Sequence, residues 1–204
     1  LAADYDKREA AGIEPARAYI DEIRNLTSFE EYASKIADFE LAGKPTYFPF
    51  GVAPDFMDAR INVLWADGPG TILPDTTYYA EDHPQKADLL AKWRKAQEDL
   101  LAKFDFAEEE IKDLLDKVLE LDAVFAQYVL SSEESSEYAK LYHPYKWDDF
   151  KALVPELPLA NIFTKLIGQE PDQVIVPEER FWQVAKDIYS AANWDKLHAL
   201  LILS

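Results

Sequence analysis

DFAEEEIKDLLDKVLELDAVFAQY, residues 105–128, decides the fold class. Ile111, Leu114, Leu115, Val118, Leu121, Phe125 and Tyr128 recur at steps of three and four, which lines them along one face of a helix of about six turns at ~3.6 residues each. Asp105 with Glu108 reads as its start, and the run Glu108-Glu109-Glu110 complements the positive end of the helix dipole. Aromatic and leucine side chains at this spacing form a core stripe and do not call for a cofactor.

Working outward, the signals stay mostly helical. Upstream, Asp82 with Pro84 opens a segment in which Leu89, Trp93, Ala96, Leu100 and Phe104 recur with the same step, so that it and the 105–128 helix read as an antiparallel pair. Thr27 and Ser28 precede Glu30 and Glu31 at capping-box spacing, and Phe29, Tyr32, Ala33, Ile36 and Phe39 then share one side of a helix ending near Gly43-Lys44-Pro45. Downstream, residues 131–136 are polar and predict a flexible linker or a helix start. Short helices are predicted from Trp147 to Leu153 and from Leu159 to Ile167, the second closed by Gly168. Val174-Ile175-Val176 is long enough only for a strand fragment. Pro177, Glu178 and Glu179 begin a helix through Phe181, Val184, Ile188 and Tyr189 that breaks near Asn193. Residues 194–203 continue as an apolar helical pattern without a terminator, which predicts a final helix packed on something outside the chain, either the remainder of a longer protein or a second copy.

Residues 46–73 differ. Ile61, Val63 and Trp65 alternate with Arg60, Asn62 and Leu64, and Tyr47, Phe48 and Phe50 form a second apolar run across a loop from Ala53 to Asp58. This predicts an antiparallel β-hairpin around residues 46–66, with Pro49, which lacks a donor, on an edge or at a bulge. Asp67-Gly68-Pro69-Gly70 then turns the chain out toward Leu73-Pro74. The expected architecture is mainly α: one multi-helix lobe over residues 1–204, with the hairpin as a small insertion.

Composition narrows the function classes. The chain has 204 residues, 49% of them hydrophobic and 13% aromatic, enough for a sizeable core. With 21 basic against 39 acidic residues the formal charge is -18, which opposes contact with phosphate backbones and anionic lipid, so neither nucleic acid nor membrane is an expected partner. The longest apolar run, Ala199 to Leu203, falls far short of the ~20 residues of a membrane-spanning helix. The absence of Cys points to a cytoplasm. The chain opens at Leu1, so an upstream targeting segment, and with it secretion, stays open.

No catalytic, cofactor-binding or metal-ligating residue is expected from the motifs. The histidines are His83, His143 and His198, and the residues four positions on are Ala87, Trp147 and Ile202, so His-Glu-x-x-His is absent. Gly-x-Ser-x-Gly and phosphate-cradling glycine loops are absent too. Two of the histidines precede proline, at His83-Pro84 and His143-Pro144, which suits a turn better than a ligand face.

Phe48-Pro49-Phe50-Gly51-Val52-Ala53-Pro54-Asp55 and Trp65-Ala66-Asp67-Gly68-Pro69-Gly70-Thr71-Ile72-Leu73-Pro74-Asp75-Thr76-Thr77-Tyr78-Tyr79 resemble the amino-terminal half of the neprilysin family of zinc metallopeptidases, most closely its bacterial endopeptidase O branch. The order of elements extends the resemblance over nearly the whole chain, and the lack of Cys agrees with the bacterial, anchorless branch. The resemblance implies a non-catalytic helical lobe that caps a chamber for short peptides, with zinc and its ligands in a catalytic lobe of the same polypeptide. It implies that the fragment is inactive alone and that no functional residue of the family falls within it. For Leu73-Pro74 and Tyr78-Tyr79 a turn fixed by the proline, with the tyrosine hydroxyls at the lobe surface, is favoured over direct substrate contact, and for His143, Tyr145 and Trp147 packing beside a helix is favoured over lining a peptide-accepting wall. A reading of a different class stays open: a free-standing acidic helical module that docks a protein partner through its apolar final helix.

Overall fold

The long helix is present as Glu108–Tyr128 and organises the molecule. In the computed structural model, which describes residues 5–204, the helices are α1 (Tyr5–Ala11), α2 (Glu14–Arg24), α3 (Phe29–Leu41), α4 (Lys86–Leu101), α5 (Glu108–Tyr128), α6 (Ser132–Ser135), α7 (Trp147–Lys151), α8 (Leu159–Ile167), α9 (Glu179–Ile188) and α10 (Trp194–Leu203). The strands are β1 (Phe50–Pro54), β2 (Asn62–Ala66), β3 (Pro144–Lys146) and β4 (Gln173–Ile175). The chain is a mainly α lobe carrying a small sheet.

The α5 stripe from Ile111 to Phe125 is buried as the periodicity requires. Its start differs from expectation. Asp105 adopts a left-handed conformation (φ 62°) that ends a 3₁₀ turn over Ala102–Phe104, and its carboxylate pairs with Arg17 at 3.0 Å. The residue before α5 is Ala107, which has no side-chain cap, so the three glutamates support this helix end through the dipole alone.

Against α5 lies α10, and here an expectation is overturned. Leu197, Ala199, Leu200, Leu201 and Ile202 are buried within this chain, covered by α5 and α2. Lys196 pairs with Glu120 of α5 at 2.9 Å, and His198 Nε2 sits 2.7 Å from the carbonyl of Ile23 in α2. The final helix does not need an outside partner, because α5 and α2, far earlier in sequence, supply the apolar walls. The interaction-module reading loses its docking surface with it.

The neighbouring α4 does run against α5, with Arg94 bonding Asp116 at 2.7 Å and reaching the carbonyl of Lys112. Its stripe is less buried than a core stripe: Leu101 alone in the helix is fully covered, and Leu100 is 44% exposed. Neither Asp82 nor Pro84 starts it; α4 begins at Lys86, with Gln85 at the cap and making no side-chain bond. For α3 the cap is split between two residues. Ser28 accepts the Glu31 N–H at 3.2 Å, whereas Glu31 reaches back to the N–H of Thr27, not to that of Ser28. Gly168 ends α8 at φ 82°, as predicted, and α9 stops at Ile188, leaving Tyr189 outside it.

The predicted hairpin exists, shifted toward the carboxyl terminus and enlarged. β1 and β2 are antiparallel, Phe50 opposite Ala66 and Pro54 opposite Asn62, and the loop between them covers residues 55–61. Tyr47 and Phe48 precede the strand because the chain kinks at Pro49, where the Phe50 N–H bonds the Phe48 carbonyl at 2.8 Å. The sheet then continues in the order β1-β2-β4-β3, with β4 parallel to β2 and antiparallel to β3. Pro144-Tyr145-Lys146, expected beside a helix, is therefore a strand. Its three-residue length and distant partner leave no local pattern to read.

β2 is buried on both faces, so its alternation does not separate core from solvent. Leu64, Ala66 and Val174 face the main core with Phe48 and Phe50, where Phe150, Phe163 and Trp182 form an aromatic cluster. Trp182 is fully buried, and its Nε1–H is shared between the carbonyls of Ala66 (3.1 Å) and Asp67 (3.0 Å), which pins the end of β2. Val63, Trp65 and Ile175 point the other way and form a separate small cluster with Tyr142.

Candidate functional site

That outer face of the sheet carries a cleft of about 460 Å³. Directly paired residues share a face, so Gly51 and Ala53 of β1 lie beside Trp65 and Val63 and form its floor. The far wall is the segment after α5. Residues 131–136, read as a linker or a helix start, take the helix: Ser131 and Glu134 close a full capping box around the single turn of α6. Three acceptors fasten the wall down. Asp75 takes the Ser132 N–H at 2.6 Å, Glu178 takes the Leu130 N–H at 2.8 Å, and Glu134 pairs with Arg180 at 3.0 Å. Tyr138, 68% exposed, and Leu141 complete the rim.

The cleft joins exposed aromatic surface to negative charge. Phe56, 53% exposed, lies over Trp65 with ring centroids 4.6 Å apart, and Val52 and Met57 are exposed beside it. Asp67 and Glu178 line the opposite end. Burial raises the pKa of both carboxyls, and for Glu178 the nearby charge of Asp67 adds to the rise against the bond from Leu130. Gly68 permits this closeness: a Cβ there would stand 2.8 Å from the Cγ of Glu178. Trp65 is 93% buried as the complement of its 7% exposure, and its indole N–H has no acceptor among the described residues.

The Leu73-Pro74 and Tyr78-Tyr79 segment is a tether. Tyr79 donates its hydroxyl proton to Asp122 of α5 and accepts the Leu73 N–H at 3.1 Å, while Asp122 also accepts the Ile72 N–H at 2.8 Å. The Tyr79 hydroxyl therefore faces a buried carboxylate, not the lobe surface. Tyr78 packs against His83 with ring centroids 4.2 Å apart and planes tilted by 35°.

The three histidines are separated by the fold as they are in sequence. His83 accepts the Gln85 N–H at 3.3 Å, His143 Nδ1 lies 3.1 Å from the Val176 carbonyl, and His198 is held against α2. Among the described residues no three His, Cys, Asp or Glu side chains converge as a metal site would require. A catalytic zinc does not fit these residues. Tyr145 and Trp147 are likewise engaged, with Glu179 and with Glu170 (2.6 Å).

A family model described as Peptidase family M13 matches residues 1–204. The chain belongs to peptidase family M13. It is 95% identical over its full length to a putative zinc metalloproteinase in the scaA 5' region of Streptococcus gordonii, and 34% identical over 98% of its length to a neutral endopeptidase of Lactococcus lactis subsp. cremoris. It spans 36% and 32% of those relatives, about a third of their length. The fold matches that of PEPO from Lactobacillus rhamnosis with a TM-score of 0.88 at 24% identity, over 97% of this chain and 31% of that one. It also matches the Mycobacterium tuberculosis zinc metalloprotease ZMP1 in complex with inhibitor, with a TM-score of 0.78 at 17% identity, over 98% of this chain and 31% of that one. The resemblance read from the hairpin and the Leu-Pro and Tyr-Tyr segment thus identifies the family. Within this M13 chain, sequence reasoning overlooked the cleft, since Gly51, Trp65, Tyr138 and Glu178 come from four separated segments. Only the Gly51 and Trp65 pair, on facing strands of a predicted hairpin, left a trace that could have been followed.

Proposed function

We propose that this M13 chain is part of the non-catalytic helical lobe of a zinc-dependent endopeptidase, a lobe that encloses the chamber in which short peptides are hydrolysed and that is inactive alone. One observation carries the reading: a match to the family along the entire chain, in a segment about a third as long as relatives named as endopeptidase or metalloproteinase. The dispersal of the histidines supports placing zinc and its ligands in the remainder of the polypeptide, which then acts as the lobe's partner in cis. The lack of Cys supports a cytoplasmic enzyme. No described helix is long and apolar enough to cross a membrane.

The test compares the complete natural protein with residues 1–204 on a fluorogenic oligopeptide, with zinc measured on both. The whole protein is expected to cleave the peptide in a chelator-sensitive manner, and the fragment neither to cleave it nor to bind stoichiometric zinc. Zinc-dependent hydrolysis by the fragment would overturn the reading.

A further inference from the structure

We propose that the cleft on the outer face of the sheet is a peptide-binding site, taking an extended segment in which an apolar side chain stands next to a positive charge. The apolar side chain enters between Phe56, Trp65 and Tyr138, and the cation faces Asp67 and Glu178.

Three independent features lead there. The first is backbone pairing. β1 is the edge strand, and Asp67 N–H to Pro49 O (2.8 Å) and Asp55 N–H to Ile61 O (3.0 Å) show that its odd-numbered residues bond toward β2. The even-numbered ones therefore point outward. Of these, Phe50 spends its N–H on Phe48 and Pro54 has none, so Val52 alone offers both a donor and an acceptor. The edge is blunted against a long strand yet open to one residue of an extended chain.

The second is charge. Two carboxylates line the cleft and no Lys, Arg or His does. Arg180, the nearest cation to Glu178, is occupied by Glu134 outside it. A cation placed between Asp67 and Glu178 relieves their mutual repulsion, which gives selectivity for basic over neutral or acidic peptides. The third is the unmet indole N–H of Trp65, a buried donor whose cover, Phe56, is itself more than half exposed. A peptide carbonyl that enters as Phe56 moves aside supplies the acceptor.

Gly51 makes the test clean. No atom lies within 4 Å of a Cβ built there and its φ is not in the left-handed region, so a larger side chain fits the strand and fills the cleft. The probe is fluorescein-labelled Arg-Phe-Val-Thr-Gly, titrated by anisotropy against the complete natural protein with metal chelated, so that binding is read apart from hydrolysis. Saturable binding is expected, weakened about tenfold or more by Gly51→Leu, which fills the floor of the cleft, and several-fold by Tyr138→Ala, which removes one of the rings the apolar side chain enters between. Asp67→Asn should weaken the probe several-fold while leaving the citrulline analogue unchanged. Absence of saturable binding, equal binding by the citrulline analogue, or wild-type affinity in both Gly51→Leu and Tyr138→Ala overturns the proposal. Should Gly51→Leu lower the thermal midpoint, Tyr138→Ala decides, since that side chain is mostly exposed. Zinc-restored hydrolysis by the same variants reports on the peptidase reading separately.

Discussion

Asp122 concentrates more consequence than any other carboxylate of the lobe. It is 4% exposed, lies in the second half of α5, and accepts from two donors, Ile72 N–H and Tyr79 O–H. Asp122→Ala is expected to destabilise by about 2–3 kcal/mol in urea unfolding, the cost of leaving buried donors unpaired, and Tyr79→Phe by about 1 kcal/mol. Burial raises the Asp122 pKa in the folded protein, so the unfolded chain gives up its proton first and the stability due to Asp122 falls as pH rises from the ordinary value near 3.8 through the folded one. Glu31 has the opposite sign. The Thr27 N–H, then Lys35 and the Thr27 hydroxyl, hold it down to about 2, so its contribution is complete above the ordinary value of 4.5 and is lost as pH falls toward 2. Unfolding free energies between pH 2 and 7 should therefore show Asp122→Asn flattening the decline toward neutral pH, and Glu31→Gln flattening the loss in acid. A profile unchanged by either substitution would show that the assigned carboxyl does not titrate in that range.

At the scale of the element, what was legible depended on how far apart the partners lie. The α5 stripe and the Gly168 cap are local, fixed by neighbours within a turn, and both stand as read. Gly168→Ala should cost about 1 kcal/mol, since a Cβ disfavours the left-handed conformation, with the loss appearing as a lower unfolding midpoint. Ser28→Ala should cost a similar ~1 kcal/mol through the α3 cap. The sheet was half legible. β1 and β2 are joined by a short loop and announce themselves by alternation, whereas β3 and β4 have three residues each and find their register only against distant segments. Asp105 misled for a related reason: an acidic residue near a helix start resembles a cap, and nothing in the sequence shows that its backbone is left-handed. The α4 stripe has core spacing and lacks a full wall, a property of the assembled lobe that periodicity does not contain.

At the scale of the described lobe, α10 is the cover of the α5 stripe. Because α10 is covered by α5 and α2, the chain should unfold cooperatively on its own, and removal of residues 194–204 should abolish that single transition by uncovering the α5 stripe, as a calorimetric scan would show. The candidate cleft was out of reach of the sequence at this scale, since it exists only where the sheet, the α6 turn and the loop at Pro177 meet.

The pairing of β2 with β4 also has a consequence in time. Leu64 meets Val174 and Trp65 meets Ile175, so the hairpin leaves the ribosome roughly a hundred residues before its parallel neighbour, a wait on the order of ten seconds at ordinary elongation rates. Through that interval Leu64 and Trp65 have no sheet partner on the β4 side, and a nascent chain held there presents an apolar strand to whatever folding helper is nearby.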